Sequence, residues 1–70
     1  MAISRARRRA GLLQREVAEA LGVSTGAVAM WDTGERKPRA DTLVKLAALY
    51  GTTVDELLRE DDTSAGHNKD

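Results

Sequence analysis

The sequence predicts an all-α domain, a compact bundle of five short helices around one core. Three observations carry that expectation. Strand signals are nearly missing: there is no phenylalanine, a single isoleucine and no alternating stretch flanked by a two-residue hairpin turn. Apolar residues instead recur at three- and four-residue spacing. Gly11, Gly22, Gly34 and Gly51 each stand just past such a periodic segment, where a left-handed residue closes a helix.

The first helix sets Ile3, Ala6 and Ala10 on one face and stops at Gly11. The second opens near Gln14, buries Val17, Ala18 and Leu21, and stops at Gly22. Ser24 is the N-cap of a third, its hydroxyl meeting an orphan amide of the first turn. That helix runs to about Asp32 with Val28 and Trp31 inward. Residues 33 to 39 combine glycine, proline and charge in a linking loop. From Ala40 to Tyr50 the inward set is Leu43, Leu46, Ala47 and Tyr50. Thr53-Val54-Asp55-Glu56 reads as a capping box in which Thr53 and Glu56 satisfy each other's amides. It opens a fifth helix carrying Val54, Leu57 and Leu58 that frays after Glu60. Residues 1 to 60 therefore form the domain, and residues 61 to 70 are expected to be a disordered polar tail.

Composition narrows the function. Seventy residues make one small domain, in which a large enclosed substrate cavity is not expected. With no cysteine, and His67 the only histidine, thiolate metal sites and Cys or His nucleophile chemistry are excluded. Paired carboxylates, a phosphate loop and a catalytic triad are all missing, so neither enzyme activity nor a cofactor is expected. No apolar run exceeds five residues, far short of the ~20 a membrane helix needs. The chain is expected to be soluble and cytoplasmic, without a signal peptide.

The zero net charge conceals a dipole. Residues 1 to 39 carry eight bases against four acids, a balance of +4, and residues 40 to 70 carry three bases against seven acids, a balance of −4. A partner meets the local field, so the basic half keeps a polyanion in play.

Residues 14 to 33 hold the most specific pattern. Ala18 is small where two helices must approach, Gly22 turns the chain four residues later, and Val28 and Trp31 are apolar six and nine residues beyond that. This spacing fits a helix-turn-helix. With Gln14 and Gly11-Leu12 ahead of it, and Gly34, Pro38, Leu43, Leu46-Ala47 and Asp55-Glu56-Leu57-Leu58 behind it, the chain resembles the Cro and phage-repressor-type (XRE-like) helix-turn-helix family over roughly residues 3 to 59.

The resemblance implies a sequence-specific, dimeric binder of double-stranded DNA, usually a transcriptional repressor, that lays its third helix in the major groove. Ser24, Thr25, Gly26, Ala29 and Met30 fall at the groove-facing positions. Gln14 matches a glutamine that bonds a phosphate and braces a side chain of the recognition helix. Arg36, Lys37 and Arg39 match places where relatives touch the backbone or the adjacent minor groove. Arg7 and Asp32 match a structural ion pair. Trp31 is read as core rather than as a base-stacking platform, since the chain has no other large anchor. Leu13 stands where relatives commonly carry a threonine cap, so the second helix should start with an unsatisfied amide or a water cap. Gly26, Ala27, Ala29 and Met30 lack hydrogen-bonding heads. Their readout must come from apolar contact, close backbone approach at Gly26 or DNA shape rather than from bidentate pairs. The candidate dimer patch is Leu49, Val54 and Leu58, giving a weak homodimer. The alternative is a protein-interaction module, of an adaptor or antitoxin-like kind, that docks a partner on an apolar face of Ala27, Ala29 and Met30.

Overall fold

The computed structural model describes residues 1–59. The expected tail, residue 60 and His67 lie outside those residues. Five helices follow in order: α1 (Ile3–Arg9), α2 (Gln14–Leu21), α3 (Thr25–Thr33), α4 (Ala40–Tyr50) and α5 (Val54–Leu58). No strand occurs among the described residues, as the all-α expectation requires.

Each helix contributes one fully buried side chain to a common centre: Ile3, Val17, Val28, Leu46 and Leu57. Each such burial stabilises the fold by roughly 1.5–3 kcal/mol. Ala18, Trp31, Leu43, Ala47 and Tyr50 close around them, and Leu12, Leu21 and Ala27 pack at the margin. The short N-terminal segment is tied in by the Ala2 amide, which donates to the Leu57 carbonyl at 2.9 Å and so fixes α1 against α5.

The helix ends follow the glycine signals. Gly11, Gly22, Gly34 and Gly51 all have positive φ, between 70° and 86°. Three expectations need correction. Ala10 is exposed, because α1 ends at Arg9 and the chain turns away through Gly11. Only half of the capping box at α5 forms. Thr53 Oγ1 accepts from the Glu56 amide at 3.1 Å, while the Glu56 carboxylate lies 3.8 Å from Arg59 Nε. The third helix reaches Thr33, one residue past its expected end.

Candidate nucleic-acid interface

The α2–α3 pair is set by the turn between its helices. Gly22 adopts φ +71°, and the next amide, of Val23, reaches back to the Ala18 carbonyl at 3.0 Å. Ala18 is buried in the core, and α2 and α3 pack against each other. Ser24 then caps α3, its Oγ accepting from the Ala27 amide at 3.1 Å.

α3 buries Val28 and Trp31 and turns a nearly chargeless face outward. Ser24, Thr25 and Gly26 are exposed, and Ala29 and Met30 are half-buried. Ala27 packs against the core rather than lying on this face, which corrects the apolar outer face of Ala27, Ala29 and Met30. The hydroxyls here are unequally engaged. Ser24 serves as the cap, and Thr33 Oγ1 donates to the Met30 carbonyl at 3.2 Å and accepts from the Glu35 amide. On this face, Thr25 alone has a hydroxyl with no partner among the described residues.

Behind this face lies a polar cluster joining three helices. Asp32 Oδ2 accepts from Arg7 Nε at 2.9 Å and from Gln14 Nε2 at 3.0 Å, and Arg7 Nη1 also donates to the Leu12 carbonyl at 2.7 Å. Gln14 thus braces a side chain of α3 from the first position of α2. Tyr50, also buried, contributes a hydroxyl with no partner among the described residues. Burial, reinforced by the Asp32 charge and opposed by Arg7, pushes its phenol up to about 12.

The start of α2 bears out what Leu13 implies. Leucine offers no acceptor, so the amides of Gln14, Arg15 and Glu16 take no partner among the described residues. Glu16 instead reaches back, its Oε1 accepting from the Leu13 amide at 2.8 Å. The exposed Arg15 guanidinium belongs to this same first turn. Arg15 is a residue that the sequence reading does not single out; an arginine in the first turn after an acceptor-less residue is the signal that marks it.

The basic loop is held beside α3. The Arg36 amide donates to the Met30 carbonyl at 3.2 Å, and Pro38 is buried between exposed Lys37 and Arg39. Arg36 is likewise exposed, so the loop presents three cations from an anchored backbone.

The expected dimer patch is only partly exposed. Leu58 is 46% accessible, but Leu49 and Val54 are partly buried against the core. Leu13, Val23 and Val44 are further exposed apolar side chains, none of them in the expected patch. A groove of about 450 Å³ between α2 and α4, lined by Ala20, Leu21, Lys45, Ala48 and Leu49, holds one ionisable group and no acid–base pair. No helix of the described residues is long and apolar enough to cross a membrane.

Comparison with known proteins agrees with this geometry. A family model described as helix-turn-helix, HTH_3, matches residues 3–57. The HTH-type transcriptional regulator ImmR of Bacillus subtilis (strain 168) is 35% identical over 68 residues, covering 97% of this chain and 54% of its own length. The cryptic phage CTXphi transcriptional repressor RstR of Vibrio cholerae is 34% identical over 53 residues, covering 76% of this chain and 48% of its own. The chain spans about half the length of these curated relatives. No solved structure gives a significant match.

Proposed function

The chain belongs to the helix-turn-helix family of DNA-binding transcriptional regulators, and from that premise we propose that it binds double-stranded DNA and represses transcription, with α3 in the major groove. The observation that carries this reading is the arrangement around α3. A neutral outward face stands together with the anchored cations Arg36, Lys37 and Arg39, tied to α3 at the Met30 carbonyl, and with Gln14, tied to α3 at Asp32, beside the unpartnered amides at the start of α2. Phosphates of the groove walls would meet these donors while the neutral face meets base edges. Ser24, Thr25, Gly26, Ala29 and Met30 are the base-facing set, and Gln14, Arg36, Lys37 and Arg39 the phosphate set. Two copies on a two-fold site, joined through Leu49, Val54 and Leu58, complete the reading, which places the protein in the cytoplasm with its DNA.

Selection of bound duplexes from a random pool, followed by titration of the winner and an unselected duplex at several salt concentrations, tests it. A selected duplex bound more tightly than the unselected one, with affinity for both falling as salt rises, supports the reading. Binding that salt does not weaken, or no binding at all, favours the protein-interaction alternative.

A further inference from the structure

The outward face of α3 contains a residue that the fold does not explain. Gly26 lies inside the helix, in the first turn, with none of the positive φ that the four chain-reversing glycines show. A Cβ built there would meet only Ser24 Oγ, at 3.8 Å, an ordinary contact. Alanine would fit, and it is the better helix former. Neither packing nor backbone geometry therefore calls for glycine here.

What surrounds it indicates what the bare backbone serves. Around Gly26 the face carries Thr25, Ala29 and Met30, with no charged side chain and no amide head. Its other hydroxyls are engaged in capping and turn bonds, which leaves Thr25 as the only uncommitted one. Such a surface cannot make the paired hydrogen bonds that identify guanine or adenine. It can bury methyl groups, and the one methyl that base pairs expose in the major groove is that of thymine.

We infer that α3 selects its site by burying thymine C5-methyl groups against Ala29, Met30 and the Thr25 methyl, with Gly26 removing the side chain that would hold the helix backbone away from them. The inference rests on the proposed placement of α3 in the groove and goes further by naming the chemical group that is read. The preferred half-site then contains thymines at adjacent major-groove positions facing α3.

Replacing thymine by deoxyuridine removes the methyl and keeps the base pairing. In the duplex selected from a random pool, each thymine facing α3 is replaced singly, and thymines outside the footprint serve as controls. The expected result is an affinity loss of about fourfold per facing methyl, the value of one buried methyl-sized group, and no loss at the controls. Gly26→Ala is expected to fold with an unchanged or higher thermal midpoint and to lose the discrimination between thymine and uracil. Equal affinity for the thymine and uracil duplexes, with the selected sequence still preferred over unselected DNA, overturns the inference and leaves DNA binding standing. A Gly26→Ala protein that discriminates as the wild type does overturns the role given to Gly26. Failure to bind any duplex would instead defeat the placement of α3 itself.

Discussion

Arg7 Nε and Asp32 Oδ2 lie 2.9 Å apart with their side chains only 12% and 6% exposed. The same carboxylate oxygen also accepts from Gln14, so one atom links α1, α2 and α3. An ion pair this sheltered is screened little by solvent, and removing one member strands the other. Arg7→Ala and Asp32→Ala are each expected to cost about 3 kcal/mol or more in urea unfolding, and the double variant clearly less than their sum. Gln14→Ala, which leaves the pair intact, should cost about 1 kcal/mol. Additive single and double losses would show that the pair contributes no coupling.

Tyr50 gives the fold an alkaline limit. Its phenol ionises near 10 in the unfolded chain and is pushed up to about 12 by burial and by Asp32. The folded state therefore holds its proton where the unfolded state has lost it. The resulting stabilisation is complete below pH 10 and declines as pH rises from 10 toward 12. Tyr50→Phe removes a buried hydroxyl with no partner among the described residues, so it should be close to neutral at pH 7. Thermal midpoints measured from pH 8 to 11.5 should fall more steeply for the wild type than for Tyr50→Phe, and parallel curves would contradict the assignment.

Much of this was legible in the sequence, and the exceptions share a physical character. Helical spacing located the inward residues of α4 completely, since Leu43, Leu46, Ala47 and Tyr50 are all buried. Gly22 and Gly34 marked their helix ends because few other residues adopt positive φ cheaply. Periodicity failed at Ala10 and Ala27, where an alanine's small size fits either face and the neighbouring turn decides. Thr53 and Glu56 match the capping box in type, but which way a flexible glutamate turns is settled in three dimensions. Within the candidate site, the Arg7–Asp32 pair followed from family resemblance, whereas the engagement of Ser24 and Thr33 in backbone bonds, and so the isolation of Thr25, required coordinates.

The anchored loop makes a clean electrostatic probe. Arg36, Lys37 and Arg39 are exposed and make no ion pair among the described residues. Their replacement by alanine should leave the thermal midpoint nearly unchanged. Affinity for selected and unselected duplexes should fall alike, and each lost phosphate contact should flatten the slope of log K against log salt by ~0.9. A triple variant with the wild-type slope would place the phosphate contacts elsewhere, with Arg15 at the start of α2 the next position to test.

The dimer proposal carries its own electrostatic signature. The patch centres on exposed Leu58, with Leu49 and Val54 partly covered, so the expected dimer is weak. Asp55 and Glu56 are exposed beside it on α5, and Arg59, 3.8 Å from Glu56, offsets one of the two charges, so a two-fold contact there brings two patches of net negative charge together. Screening weakens that repulsion. Self-association in the absence of DNA should accordingly strengthen with salt, while DNA binding weakens with salt. A duplex with two half-sites about 34–36 Å apart would hold both copies together and complete the dimer. Sedimentation at low and high salt, with and without that duplex, reads both effects. Leu58→Glu should abolish pairing on the duplex while single half-site binding persists. A tight dimer indifferent to Leu58→Glu would move the interface to another exposed apolar side chain, Val44 on α4 being the most accessible at 60%, and strict one-to-one binding to the palindrome would remove the dimer altogether.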